Sequence, residues 1–315
     1  MNEKKPVDVS IIVPVYNNED SLVALTVKIQ QTLRSYDENL TYEFIFVDDG
    51  SRDHSFETLM ELQKRSKNIR IVKFTRNFGQ VSAIYAGYEY SSGASQVNIS
   101  ADLQDPPELI AEMLEMFRKK SYDIVICSRE GRDENLFRIL SSKFFYFVIK
   151  KLSFRNMPKG GFDYCLISAK VKEHLLRSKE INPFWQGQIL WPGYTMYRIP
   201  YTRQKREHGK SQWDFSKKIK YLIDGVLAYS YFPLRLMSAI GIITFLLGIL
   251  YAIVIVIRYF TGNYPFQGWA PIMILLLVLS GIQMLMIGIS GEYLWRILDQ
   301  VRNRPKYEID RIIDG

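Results

Sequence analysis

Apolar positions recur along this chain in several rhythms. Val9 to Val13 is a short β-branched run ending at Pro14, which reads as a buried strand. Asp20 to Arg34 then sets Leu22, Leu25, Ile29 and Leu33 at helical spacing. The alternation continues with a strand at Phe44 to Val47, a helix at Ser55 to Arg65 and a strand at Ile69 to Phe74. A helix at Gln80 to Tyr90 and a strand at Val97 to Ile99 follow. Pro106 and Pro107 open a helix to about Lys119, because proline is tolerated in the first turn, and Ile124 to Cys127 is another strand. Strands alternating with helices predict an α/β domain with a Rossmann-like, mostly parallel sheet covered on both faces. Ligands of such sheets bind beyond the carboxyl ends of the strands.

Asp133 to Lys151 breaks the alternation. Leu136, Phe137, Leu140, Phe144, Phe147 and Val148 form a stripe, with Arg138, Lys143, Lys150 and Lys151 elsewhere. Such a basic amphipathic helix fits the membrane interface and fits packing on a sheet equally. Trp213 to Tyr231 is a second one. Two apolar runs follow, Ser238 to Ile257 and Ala270 to Ser290, neither holding Asp, Glu, Lys or Arg. Each has about the 20 residues a helix needs to span a bilayer.

The flanking charges orient these runs. Lys217, Lys218, Lys220 and Arg235 precede the first, and Arg296, Arg302, Arg304 and Lys306 follow the second. The loop from Arg258 to Trp269 has only Arg258, with Tyr259, Tyr264, Phe266 and Trp269 suited to the outer interface. Positive residues stay inside, so both termini and the large domain are expected in the cytoplasm of a multi-pass inner-membrane protein. Met1 to Asp8 has no apolar signal-peptide core. The expected division is a catalytic domain over 1–212, a juxtamembrane amphipathic helix over 213–235, and two transmembrane helices over 236–290 with an external loop at 258–269. A cytoplasmic segment over 291–315 completes it.

With 47% hydrophobic and 14% aromatic residues, the 315-residue chain suffices for one such domain and a membrane hairpin. The net charge of +8 next to two spans points to anionic headgroups and phosphorylated substrates, not to nucleic acid. Cys127 and Cys165, the only cysteines, make neither a disulfide framework nor a zinc site and are expected to be buried.

No G-x-G-x-x-G follows the first strand and no G-x-x-x-x-G-K-S/T occurs, which removes the main support for dinucleotide and P-loop enzymes. Carboxylates stand at the strand ends instead: Asp48 and Asp49 after the second, and Asp102, Gln104 and Asp105 after the fourth. Hard oxygen ligands converging there suit Mg²⁺ or Mn²⁺ shared with a substrate diphosphate.

Val13-Pro-Val-Tyr-Asn-Asn-Glu19, Asp48-Asp-Gly-Ser51, Ala101-Asp-Leu-Gln-Asp-Pro-Pro107 and Arg206-x-x-Gly-x-Ser211 occur in that order ahead of the hairpin. In this the chain resembles the family-2 glycosyltransferases of GT-A fold. Within them it is similar to the polyprenyl-phosphate glycosyltransferases, which include dolichyl-phosphate mannose synthases and bacterial undecaprenyl-phosphate sugar transferases. The resemblance implies that Pro14, Tyr16, Asn18, Asp48, Asp49 and Ala101 hold the nucleotide. It makes Asp102 and Gln104 the metal ligands beneath the diphosphate. It gives Arg129, Arg138 and Ser142 the diphosphate or the lipid phosphate, places Asp163 near the reacting centre, and lets Arg206, Gly209 and Ser211 close over the donor. A UDP-sugar, a polyprenyl phosphate, the membrane and further copies of the chain are the implied partners. Three departures stand out: Ser100 where the family has an Asp, Asn18 where Glu is frequent, and Gln212 where the closing loop often has Lys.

Physical chemistry supports the same role. Cleaving a sugar–diphosphate bond puts negative charge on the leaving oxygen, which a divalent cation and Arg side chains stabilise. A lipid phosphate monoester is already ionised near neutral pH and needs little help from a base. Asp163 is therefore expected to orient the acceptor or stabilise a positive sugar as much as to remove a proton. A processive polysaccharide synthase is the first alternative, but Gln188-Ile-Leu-Trp191 lacks the Arg of Q-x-x-R-W. An inactive nucleotide-sensing membrane scaffold is the second. His54, His174 and His208 show no metal-ligand spacing.

Overall fold

The computed structural model describes residues 6–129, 157–158, 161–178, 180–181, 183–202, 232–261 and 270–314. These form two compact units: one contains the residues up to 225 together with Pro305–Gly315, the other Val226–Arg304.

In the first unit, β1 (Val9–Val15), α1 (Leu22–Tyr36), β2 (Tyr42–Asp48), α2 (Ser55–Arg65), β3 (Ile69–Phe74) and α3 (Gln80–Glu89) follow one another. Then come β4 (Ser95–Asn98), α4 (Leu109–Lys120), β5 (Ile124–Arg129), β6 (Tyr164–Ser168), α5 (Ala169–Arg177), α6 (Trp185–Leu190) and β7 (Met196–Tyr201). A C-terminal strand, β8 (Ile309–Ile313), completes an eight-stranded sheet of order β7-β5-β6-β4-β1-β2-β3-β8. The pairs β1–β2, β1–β4, β2–β3 and β5–β7 are parallel. Among the described residues, antiparallel pairing comes only from β6 and β8. This is the expected mostly parallel architecture.

The apolar rhythm explains the layers. Ile11, Val13 and Val15 face a core shared with Leu22, Leu25, Ile29 and Leu33 of α1, Leu59 of α2 and Ile110, Met113 and Leu114 of α4. Each such fully buried aliphatic side chain contributes roughly 1.5–3 kcal/mol. Ile12 points to the opposite face, where α3 packs so closely that a Cβ on Gly87 would lie 2.2 Å from Ile12 Cγ2. Helices thus cover both faces. The helix expected to open at Pro106 begins at Leu109 instead. Leu109 N donates to Pro106 O and Ile110 N to Pro107 O, so the prolines form a tight turn that leads into α4.

Five elements lie outside the expected order: β6, α5, α6, β7 and β8. Chain reversal is the reason for β6. It runs against β4 and β5, so Cys127 stands opposite Tyr164 and Ile126 opposite Cys165. Both cysteines are buried, as expected, and burial raises both thiols well above their ordinary value.

The second unit holds α7 (Phe232–Phe260) and α8 (Ala270–Arg302). Met286 Cε of α8 comes within 3.7 Å of where a Cβ on Gly241 of α7 would stand. Phe232–Arg258, with mean hydropathy 3.0 and none of it buried, is the one helix among the described residues long and apolar enough to cross a membrane. The second expected run lies within α8, which continues past it through Glu292, Arg296 and Asp299. The expected amphipathic stretches 133–151 and 213–231 lie outside the described residues, as do residues 262–269 of the expected external loop.

Candidate active site

Strand register gathers the candidate residues at one edge. Val15 is level with Asp48, and Ile12 with Asn98, so the loops after β1, β2 and β4 leave the sheet side by side. Because β6 is antiparallel, its first residues emerge at this same edge beside the end of β5. Arg129 and Tyr201, last residues of β5 and β7, are register partners there.

The first two loops are stitched together. Asn18 Oδ1 accepts from Tyr16 N at 3.1 Å, Asn17 N donates to Ser51 Oγ at 3.1 Å, and Asn18 N donates to Ser55 Oγ at 2.8 Å. Ser21 Oγ donates to Ala101 O at 2.6 Å, tying the same loop to the one after β4. Pro14 sits within β1, level with Val47.

Asp48 and Asp49 are both buried. Asp48 Oδ1 accepts from Ser51 N at 3.0 Å, while its Oδ2 has no partner, and burial raises its pKa. Asp49 is committed to backbone: it accepts from Phe78 N at 2.6 Å and Gly79 N at 2.9 Å, at the start of α3. Burial nonetheless pushes it up to about 6. Gly50 follows with φ +70°, and a Cβ there would meet the Arg76 carbonyl carbon at 2.6 Å. Only glycine fits this turn.

After β4, Leu103 adopts φ 58°, a costly conformation for a non-glycine residue. Asp102 Oδ1 accepts from Ser100 Oγ at 2.7 Å and Gln104 N at 3.2 Å. Among the described residues no group of three or more His, Cys, Asp or Glu is arranged to hold a metal. One half-buried carboxylate at the loop fits an ion that completes its shell with waters and substrate phosphate oxygens, as Mg²⁺ does.

Asp105 turns inward. It is 1% exposed, accepts from Tyr201 Oη at 2.6 Å, and shares the one Ser100 hydroxyl proton with Asp102, its Oδ2 lying 2.8 Å from Ser100 Oγ. Arg129 Nε donates to Tyr201 Oη at 3.4 Å, and Arg129 Nη2 to Asp163 Oδ2 at 2.9 Å. Gln186 Nε2 donates to Phe162 O at 2.6 Å and Asp163 Oδ1 at 3.3 Å, and Asn98 Nδ2 to Asp163 O at 2.7 Å. A continuous polar chain thus runs from Asp102 through Ser100, Asp105, Tyr201 and Arg129 to Asp163. Burial works against the Arg129 charge, but Asp163, Tyr201 and Asp105 outweigh it and raise its pKa. Burial, helped by Asp105, also raises the Tyr201 phenol well above its ordinary value.

A family model described as glycosyl transferase family 2 matches residues 10–176. The chain belongs to this family. It is 36% identical over 304 residues to an uncharacterized glycosyltransferase, YkcC, of Bacillus subtilis (strain 168), covering 96% of this chain and 93% of that protein. It is 31% identical over 306 residues to the SfII prophage-derived bactoprenol glucosyl transferase of Shigella flexneri, covering 96% and 97%. Mannosyl-3-phosphoglycerate synthase from Rubrobacter xylanophilus superposes with TM-score 0.50 at 13% identity, over 70% of this chain and 73% of that one. That likeness is one of fold, the GT-A type.

Arg138, Ser142, Arg206, Gly209 and Ser211 lie outside the described residues. The site as described brings Asp102, Gln104, Arg129 and Asp163 to one edge and adds Tyr201, Gln186 and Asn98, which motif reading misses. A period-two pattern marks β7, where Ile199 and Tyr201 are buried and Arg198 and Pro200 are exposed. Trp185 packs on Phe162 inside the core, while Trp191 is exposed against His174. Gln188, the start of the would-be synthase motif, is buried and bonded to Ser178 Oγ and Tyr85.

Proposed function

We propose that this family-2 glycosyltransferase moves a sugar from a UDP-sugar to polyprenyl phosphate at the cytoplasmic membrane face. The observation that carries the reading is the Arg129–Asp163 pair, joined to Asp102 through one polar chain. It sets a guanidinium, read as the phosphate-binding group, and a carboxylate beside the loop after β4. The name of the Shigella flexneri relative, a bactoprenol glucosyl transferase, supports the lipid acceptor. The apolar helix Phe232–Arg258 supplies a membrane anchor, and α8, with the run Ala270 to Ser290, is read as its returning span. Catalytic domain and termini are assigned to the cytoplasm, and the protein to the inner membrane.

In this reading the acceptor phosphate oxygen attacks the anomeric carbon as the bond to the nucleoside diphosphate breaks. Asp48 and the loop after β1 hold the nucleoside. Arg129, with Arg138 and Ser142, holds the acceptor phosphate, and Asp163 orients it. Asp102 and Gln104 are the residues that would hold Mg²⁺ or Mn²⁺, which would supply positive charge against the departing diphosphate. No side chain is needed as nucleophile, so one displacement inverts the sugar: an α-linked donor gives a β-linked lipid phosphate.

Membranes carrying the protein, incubated with undecaprenyl phosphate and labelled nucleotide sugars, should yield an organic-extractable β-linked product. Asp102→Ala and chelator should each abolish it. An α-linked product would overturn the single displacement, and full activity of Asp102→Ala would overturn the metal assignment.

A further inference from the structure

We propose that the Tyr201 hydroxyl is a positioning group: it fixes the plane of the Arg129 guanidinium that meets the acceptor phosphate. The proposal rests on the assignment of Arg129 to that phosphate made above.

A guanidinium is flat, with five donors in a rigid fork, so two bonds to fixed partners define both its place and its plane. Arg129 has these two bonds, from Nε to Tyr201 and from Nη2 to Asp163. The partners are unequal. Asp163 has a side chain 44% exposed, held by Gln186 Nε2 at 3.3 Å. Tyr201 is 7% exposed, lies level with Arg129 in the sheet, and is anchored in turn by its short bond to Asp105. Asp105 is itself buried and held by Ser100.

The chemical type of this residue matters too. A carboxylate touching Arg129 here would set a second negative charge where a phosphate has to bind. The Tyr201 hydroxyl is neutral near pH 7, as an ordinary phenol is, and burial raises its pKa further. It donates towards Asp105 and accepts from Arg129, passing orientation from one to the other without passing charge. The buried Asp105 carboxylate is thereby kept one residue away from the guanidinium. Tyr201 touches neither substrate in this scheme and acts through Arg129.

The test is steady-state kinetics of the full chain in detergent, with UDP-glucose and undecaprenyl phosphate. Tyr201→Phe should lower kcat/KM for undecaprenyl phosphate on the order of 10- to 100-fold, the scale of a misaligned binding group. KM for UDP-glucose and the affinity for UDP should stay within about twofold, since a lost acceptor contact leaves donor binding intact. Unchanged acceptor kinetics, or an equal loss on the donor side, would overturn the proposal. Should Tyr201→Phe fail to fold, two substitutions at Asp105 take its place. Asp105→Asn keeps an acceptor oxygen for Tyr201 and Asp105→Ala removes it, so only the second should raise the acceptor KM strongly. Equal values in the two would overturn the strut. A wild-type protein that glycosylates no undecaprenyl phosphate with any of the labelled nucleotide sugars would instead sink the proposed function, and this inference with it.

Discussion

Asp49 shows what a motif residue does once folded. Its place in Asp-Asp-Gly-Ser suggests a nucleotide contact, yet both its oxygens hold the backbone of Phe78 and Gly79. That bond pair closes the turn in which Gly50 must be glycine. Burial raises Asp49 to about 6, above its ordinary 3.8. The sign follows from linkage: the folded state holds this proton more tightly than the unfolded chain does. The group's contribution is most favourable below about pH 4, is lost as pH rises towards 6, and is constant above that. Its size is on the order of 3 kcal/mol. Asp49→Asn should therefore flatten the pH dependence of the melting temperature between pH 4 and 6, measured against wild type in the same buffers. An identical slope in both proteins would show that Asp49 is not perturbed.

Among elements, β8 carries the clearest consequence. It pairs antiparallel with β3, which would otherwise be the sheet's open edge. Just ahead of it Tyr307 stacks on Phe74 at 4.9 Å and bonds Glu89, and Lys306 lies 4.1 Å from the Tyr85 ring centre. Arg70 bonds Asp314 at the far end. Edge backbone and aromatic packing should dominate here, because an ion pair whose Asp314 side chain is 65% exposed contributes about 1 kcal/mol or less. Deleting 305–315 should expose β3 and drive aggregation, read as loss of the monodisperse peak in size exclusion. Asp314→Ala should leave that peak and the melting temperature nearly unchanged. The elements visible in sequence were those whose apolar face is written locally. The helix α2 and the strand β3 have the bounds their spacing implies. β8 lacks such a pattern, since Asp310 and Arg311 occupy its middle and its pairing partner lies more than 200 residues away.

At the scale of the whole molecule, the chain combines a GT-A sheet with a helix suited to a bilayer. Phe232–Arg258 exposes Leu246 at 58% and Ile253 at 49%, so both should face lipid. A lysine at each costs roughly 2.5–3.5 kcal/mol at a helix centre in the membrane. Leu246→Lys combined with Ile253→Lys should release the protein from membranes on alkaline carbonate extraction, where wild type stays in the pellet. Retention of the double variant would show that this helix is not the sole anchor and that the run Ala270 to Ser290 in α8 holds the protein without it.

Sequence alone determined the α/β alternation, the glycosyltransferase motifs and the apolar C-terminal run, because each is written in neighbouring residues. Asp48, Asp49, Asp102 and Gln104 could be placed at strand ends by the same local logic. The polar chain from Asp102 to Asp163 could not. Tyr201 is 96 residues from Asp105 and 72 from Arg129, and no local pattern brings them together. The parallel pairing of β7 with β5 does so, and the reversed β6 delivers Asp163 to the same edge. Hydrogen bonds between distant strands follow from sheet order and register, which tertiary packing sets. The same packing decided that Asp105 turns inward to Tyr201 while Asp102, three residues earlier, stays half-buried at the edge.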